Sequence, residues 1–252
     1  MNIWKHKSNA TKKSSILFKK TKMLLEICTS SYQSVKNAND AGIKRIELCS
    51  ELSIGGITPS YGLIKKVLQI PNITTYILIR PRSGNFCYTN EEFSIMKKDI
   101  EICKELGCHG IVSGILNPDE TIDMERTRDL LNLSKPLSFT FHRAFDIIPN
   151  PEEGLKQLIN LGADRVLTSG QQPKAINGLE ILKKLKQQAE NRITILVGGG
   201  VSSENAKHFR DAGFDEIHSS ASKILTIEAS EYFGKALQTV SNPTEIKAIF
   251  IY

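Results

Sequence analysis

The 252-residue chain lacks the features that mark membrane, disulfide-stabilised and zinc-knuckle proteins. No apolar run reaches the roughly 18 residues that a membrane helix needs, so we expect a soluble protein without a membrane partner. Its five cysteines are odd in number and follow no secretory signal, which argues against a disulfide framework and for a reducing compartment. A CxxC pair is also missing, so nothing indicates a structural zinc site.

Acidic residues are absent from residues 1–22, a segment that holds seven lysines and no arginine. The rest of the chain has 26 basic and 27 acidic residues, so the net charge of +6 belongs to this segment. The folded part therefore gives no electrostatic reason to expect a nucleic acid partner. We expect residues 1–22 to form a solvated, disordered extension and residues 23–252 to form one domain.

Strand and helix patterns alternate from Met23 to the C-terminus. The predicted strands are LLEIC (24–28), RIELC (45–49), TYILIR (75–80), HGIVSG (109–114), LSFTFH (137–142), DRVLTS (164–169), RITILV (centred on 193–197) and FDEIHSS (214–220). Each is followed by a helical pattern, and we expect helical segments from the last strand to Tyr252. Eight βα units predict an α/β fold of the TIM (β/α)8 barrel type. No GxGxxG turn follows the first strand, which disfavours a Rossmann fold, and we expect no nucleotide cofactor.

Several charged side chains fall on the inward face of the predicted strands. In SFTFH the two phenylalanines take the helix-facing side, so Thr140 and His142 point into the barrel. The same alternation predicts an interior set of Glu26, Glu47, Arg80, His142, Glu216 and His218. Buried charges are costly unless they are paired or used. The set is therefore either an ion-pair network around Arg80 or part of a site at the C-terminal end of the barrel, where this fold places its active sites.

Glycines follow the seventh predicted strand in GGGVSSEN (198–205). Backbone N–H groups in such a loop bind anions, and barrels often hold phosphate at loops seven and eight. This predicts an anion site of Gly198, Gly199, Gly200 and Ser219, with Arg82 adding positive charge. The alternative is a tight turn that requires glycine. Arg143 could add positive charge in the same way, but it has the parity of a helix-facing residue, and the alternative is that it simply pairs with Asp146.

Cys28 and Cys49 occupy equivalent positions, each ending a strand in an E-x-C pattern. Neighbouring strands lie about 4.8 Å apart, so the two thiols can approach closely. Soft thiolates with few other ligands suit Cu(I). The alternative is that two small cysteines only fill the top of the barrel.

With these residues assembled, the sequence resembles the CutC family. The resemblance covers about residues 23–252 and is carried by RIELCSELSIGGITPSYG, ILIRPRSGNFCYT, FTFHRAFD, RVLTSGQQPKAINGLEIL, VGGGVSSENA and EIHSSAS. It implies a cytoplasmic TIM barrel that acts in copper homeostasis and forms homo-oligomers. It also implies that the copper ligands are Cys28 and Cys49.

Three functional hypotheses follow. The first is Cu(I) binding by the two cysteines. The second is an enzyme that transfers a proton next to a carbonyl of a small phosphorylated or anionic substrate, with Glu47 as base, His142 as acid and Arg80 holding the anion. The third is a divalent-metal site drawn from the inward carboxylates and histidines, namely Glu26, Glu47, His142, His218 or Glu216.

Overall fold

The computed structural model describes residues 23–230, 232 and 234–250. The predicted N-terminal extension, 1–22, lies outside these residues. Eight parallel strands form a closed barrel in the order of the chain. They are β1 (Leu24–Thr29), β2 (Arg45–Leu48), β3 (Thr74–Leu78), β4 (Gly110–Ser113), β5 (Ser138–Phe141), β6 (Arg165–Thr168), β7 (Thr194–Gly198) and β8 (Glu216–Ser219). The predicted TIM barrel is confirmed, and every predicted strand is present with small shifts at its ends.

Helices connect the strands. They are α1 (Tyr32–Asp40), α2 (Tyr61–Val67), α3 (Asn90–Glu105), α4 (Met124–Ser134), α5 (Pro151–Leu161), α6 (Leu179–Ala189), α7 (Ala206–Asp211) and α8 (Pro243–Phe250). Local chemistry sets several of their starts: a capping box formed by Thr89 and Glu92 opens α3, and Asn150 caps α5 ahead of Pro151. No helix in the described part of the chain is both long enough and apolar enough to cross a membrane.

The segment after β8 differs from the predicted run of helices. Two antiparallel strands, β9 (Ser222–Ser230) and β10 (Gly234–Ser241), form a hairpin outside the barrel before α8 begins. The expectation of helices alone was wrong because SKILTI places β-branched residues at alternating positions, which favours a strand. The hairpin is tied to α1, where the Asn37 side chain donates to the Ser241 carbonyl (2.9 Å) and Ser34 accepts from the Ser241 N–H (3.1 Å).

The barrel has two separate apolar regions. The larger one lies between the strands and the helices and includes Phe139 and Phe141, as their parity predicted. The smaller one lies inside the barrel, where Tyr76, Leu78 and Val112 pack with the two site cysteines. This interior holds charged as well as apolar side chains, and several of them reach the surface at the end of the barrel where the strands finish.

The layer between strands and helices should carry much of the stability. Replacing Phe139, which is 1% exposed, with alanine should lower the free energy of unfolding by about 3–5 kcal/mol because a cavity remains. Urea unfolding followed by circular dichroism measures this. Ile95→Ala on α3 is the matched control, because Ile95 is 52% exposed and its loss should change stability little. Equal effects for the two variants would contradict this assignment of the core.

Candidate functional site

A cavity of about 290 Å³ opens where the barrel strands end. This C-terminal mouth is the face on which TIM barrels carry their sites. The walls of the cavity include many of the residues predicted from the sequence: Cys28, Glu47, Arg80, His142, Gly199, Gly200 and Ser219. Strands from both sides of the barrel closure contribute, so the complete barrel is needed to assemble the site.

Cys28 and Cys49 lie together, as their equivalent positions predicted. Their sulfur atoms are 3.8 Å apart, and both side chains are buried. Parallel pairing produces this contact, because Cys28 is in register with Glu47 and the N–H of Cys49 bonds to the Thr29 carbonyl (2.9 Å). Both thiols are free.

The loop after β2 covers the cysteine pair, and Gly56 lets it do so. Gly56 has a φ of +82°, which favours glycine, and a Cβ there would lie 2.7 Å from Leu78 and 3.2 Å from the Cβ of Cys49. Any larger residue would push the loop away from the sulfur atoms. The GGITPS segment therefore acts as a close-fitting cover for Cys49, which is fully buried.

Glu47 lies beside the two thiols. The Cys28 thiol donates to Glu47 Oε1 at 3.6 Å. Burial raises the pKa of Glu47, which favours its protonated form. The pKa of Cys28 is raised well above its usual value by its contact with Cys49 and by burial, which favours the protonated thiol.

His218 reaches this group from β8 with Glu26 behind it. The Nδ1–H of His218 donates to Glu26 Oε1 at 2.8 Å, and Glu26 Oε2 lies 2.7 Å from Arg45 Nε. Burial opposes a charge on either partner. Even so, their hydrogen bond raises the pKa of His218, while the same bond and Arg45 lower the pKa of Glu26. Because Nδ1 is occupied, Nε2 is the ring nitrogen left to meet a ligand.

An ion-pair network fills the barrel below His218, and it is centred on Arg45 rather than on Arg80. Glu216 accepts bonds from Arg45 (Nη1–Oε1, 3.2 Å) and from Arg165 (Nε–Oε2, 3.1 Å). Both guanidinium groups lie over the ring of Tyr76, at 5.3 and 5.0 Å from its centre. Arg45 and Arg165 were not among the predicted interior residues, although strand alternation places each of them two residues before an inward side chain.

Arg80 has a different role from the predicted ion pair. Its guanidinium donates to the carbonyls of Ile54 (3.0 Å), Gly56 (2.8 Å) and Gly84 (2.8 Å). These bonds fasten two loops to the end of β3, but carbonyl groups do not neutralise its charge. No described carboxylate forms an ion pair with this buried cation, which lies in the cavity wall next to Phe86.

His142 points into the same cavity as a neutral ring. Its Nδ1 accepts a bond from the Ala144 N–H (3.2 Å), so the ring proton is on Nε2. Burial and the nearby charge of Arg80 lower the pKa of His142 to about 3. Nε2 has no protein partner among the described residues. The histidine is therefore an unused hydrogen-bond donor.

The predicted anion residues are only partly brought together. Gly199 and Gly200, with φ of +108° and +70°, line the cavity beside Ser219. The hydroxyl of Ser219 is already engaged, since it donates to the Val201 carbonyl (2.6 Å). Gly198 belongs to β7, where a Cβ would meet Leu167 at 2.5 Å, so close packing explains this glycine.

Of the two arginines considered for the anion site, Arg143 lines the cavity and Arg82 does not. Arg82 is turned toward Glu92 and the Cys87 carbonyl and is not part of the cavity wall. Arg143 forms the expected ion pair with Asp146 (2.7 Å), yet its side chain also lines the cavity. Strand parity could not show this, because Arg143 lies in a turn after β5 where the alternation no longer holds.

The residues predicted to form a divalent-metal site do not all come together. Glu26 and Glu216 are engaged by arginines, and His142 is held by the turn after β5. One group does come together: ligand atoms of Cys28, Glu47 and His218 all lie within 4.8 Å of one another. The groups able to bind a metal are thus a thiol pair with one carboxyl and one imidazole beside it.

Comparisons with known proteins identify the family of the chain. Residues 23–223 match the family model described as the CutC family. The chain belongs to the CutC family. A CutC family protein from Histophilus somni is 43% identical over 224 residues, covering 88% of this chain and 91% of that protein. The human copper homeostasis protein cutC homolog is 43% identical over 199 residues, covering 79% of this chain and 73% of that protein.

A solved structure of a relative supports the fold assignment. The crystal structure of the putative copper homeostasis protein CutC from Streptococcus agalactiae has a TM-score of 0.75 and 37% identity. It aligns with 79% of this chain and 98% of its own. The family model ends at residue 223, so most of the β9–β10 hairpin and α8 lie beyond the matched region.

The Glu26–Arg45 pair should stabilise this CutC-family barrel in a pH-dependent way. Glu26→Gln leaves Arg45 and His218 without their shared carboxylate, which should cost about 3–5 kcal/mol in unfolding free energy. Because folding lowers the pKa of Glu26, its contribution is present above the unfolded value of about 4.3 and is lost as pH falls through the folded value. The difference in unfolding free energy between wild type and Glu26→Gln should therefore become smaller as the pH is lowered.

Chemical unfolding between pH 3 and pH 7 measures this effect. Glu180→Gln is the control, since Glu180 pairs with Lys183 at the surface and should contribute little at any pH. A stability difference for Glu26→Gln that is small at neutral pH would contradict the assignment.

Proposed function

We propose that this chain is a copper homeostasis protein that binds Cu(I) through Cys28 and Cys49. The observation that carries the proposal is the pair of buried, free thiols, 3.8 Å apart at the mouth of the barrel. Thiolates are the ligands that Cu(I) prefers, and a site with few other donors favours it over harder ions. Metal–thiolate bonds of about 2.3 Å, the value for zinc, allow one ion to bridge sulfurs at this separation.

His218 is the third donor in this proposal. Its ligand nitrogen lies within 4.8 Å of the Cys28 sulfur, and Glu26 holds the ring by Nδ1. A carboxylate behind a ligating histidine fixes the ring orientation and increases its basicity. Glu47 is not a ligand in this proposal, because a carboxyl group with a raised pKa binds a soft metal less well than the thiols do. Its raised pKa instead suits it to accept a proton from a thiol.

The names of relatives support the copper assignment. The human relative is called a copper homeostasis protein, and the streptococcal structure carries the same description. A cytoplasmic location is part of the proposal, since a reducing compartment keeps the thiols available for metal. The homo-oligomeric assembly expected from the family remains a prediction.

Removing the two thiols should abolish tight Cu(I) binding. The Cys28→Ser/Cys49→Ser double variant should lose at least about 100-fold in affinity, because a hydroxyl is a hard and weak donor to Cu(I). Titration of the reduced protein against a Cu(I) chelator of known affinity provides the measurement. Cys87→Ser is the control, as its hydroxyl can still donate to the Asn117 carbonyl. Equal affinity for the double variant and wild type would rule out this site.

The histidine and its supporting carboxylate should also affect Cu(I) affinity. Glu26→Gln should weaken binding by about 10–100-fold, the usual effect of losing a ligand's outer support, and His218→Asn should weaken it at least as much because it removes the ligand itself. His208→Asn, at an exposed position on α7, should bind like wild type. If both site variants bind Cu(I) as tightly as the control, the cysteines act without His218.

A further inference from the structure

The cavity contains polar groups that Cu(I) binding does not use. They are Arg80 and His142 on one wall and the second carboxyl oxygen of Glu47 on another. Each of these side chains is 5% exposed. Buried polar groups in proteins are nearly always satisfied, so a cluster of such groups around one cavity marks a place where a polar ligand can bind.

The first wall presents positive charge and a neutral donor. Arg80 is buried without a carboxylate partner in the described part of the chain, a state that an anionic ligand would relieve. His142 offers an Nε2–H and no net charge. A cation together with a neutral imidazole donor suits an oxygen atom that carries, or acquires, negative charge.

Other parts of the cavity wall provide a proton acceptor and a place for an anionic group. Glu47 Oε2 has no partner among the described residues, and Oε1 accepts a bond from the Cys28 thiol. Gly199 and Gly200 line the cavity with left-handed backbone beside the half-exposed guanidinium of Arg143. These residues follow β7 and β5, on the rim where barrels hold phosphate or carboxylate groups.

We propose that this cavity binds a small organic anion bearing a carbonyl group and that Glu47 transfers a proton at the carbon next to that carbonyl. The carbonyl oxygen faces His142 and Arg80, and the phosphate or carboxylate group faces Gly199, Gly200 and Arg143. The Glu47 carboxylate takes the proton, and the C–H electron pair forms a double bond while the carbonyl becomes an enolate oxygen. Return of the proton to the same carbon restores the carbonyl compound and completes exchange, and no oxidant or further reactant is needed.

Matched pairs of probes test the binding half of this proposal. Dihydroxyacetone phosphate and glycerol 3-phosphate differ at a single carbonyl, as do pyruvate and lactate. For the reduced full-length protein, calorimetry should show at least one carbonyl compound binding about tenfold more tightly than its alcohol partner, because a planar carbonyl oxygen meets both donors along its lone pairs, whereas an alcohol oxygen is tetrahedral and carries a proton of its own. If neither carbonyl compound binds better than its partner, the proposal is wrong.

Two variants test the roles of His142 as hydrogen-bond donor and Glu47 as base independently. His142→Asn keeps an oxygen that can accept from the Ala144 N–H but removes the Nε2–H, so it should lose the carbonyl preference. Glu47→Gln should bind the carbonyl compound yet fail to catalyse uptake of deuterium at the neighbouring carbon, followed by proton NMR in D2O. Lys183→Gln, on the outer face of α6, is the control for both readouts. Exchange by Glu47→Gln at the wild-type rate would overturn the assignment of the base.

The copper site and the cavity can be tested separately. The Cys28→Ser/Cys49→Ser variant should lose Cu(I) and retain the carbonyl preference, whereas His142→Asn should lose the preference and retain Cu(I). Failure of one proposal therefore leaves the evidence on the other intact. If the double cysteine variant also loses carbonyl binding while remaining folded, the cavity and the thiols form one site and the separate anion pocket is wrong.

Discussion

The ion-pair network around Arg45 is the constraint on which the rest of the barrel interior depends. Arg45 joins Glu26 on β1 to Glu216 on β8, and Arg165 extends the network to β6. Charges buried this deeply are tolerated only when each has a partner. The network therefore fixes how the first and last strands meet. Cys28 and His218 lie on these two strands, so their relative positions depend on it.

One consequence is the division of the interior into layers with different chemistry. Arginines, carboxylates and Tyr76 fill the lower part, while thiols, Glu47 and His218 occupy the level above. Glu26 belongs to both levels, since it bonds to Arg45 below and to His218 above. The orientation of the imidazole toward the thiols is thus a result of ion pairing deeper in the barrel.

Much of this could be predicted from the sequence because strand alternation is a strict geometric rule. It placed Cys28, Glu47, His142 and His218 inside the barrel and both strand-five phenylalanines against the helices. It failed where the backbone leaves the strand: Arg143 turns back into the cavity, and Arg82 turns away from it. Alternation also says which side chains enter the barrel but not which of them pair, so the position of the ion-pair network required coordinates.

Arg80 connects two parts of the structure that the sequence presented as unrelated. Its bonds to the carbonyls of Ile54 and Gly56 hold down the loop that covers Cys49, while its charge faces the cavity next to His142. The cover over a sulfur atom and the wall of the pocket are therefore fastened by the same guanidinium. Loss of this one side chain would therefore loosen the loop over the sulfur atom and remove the positive charge from the cavity wall at the same time.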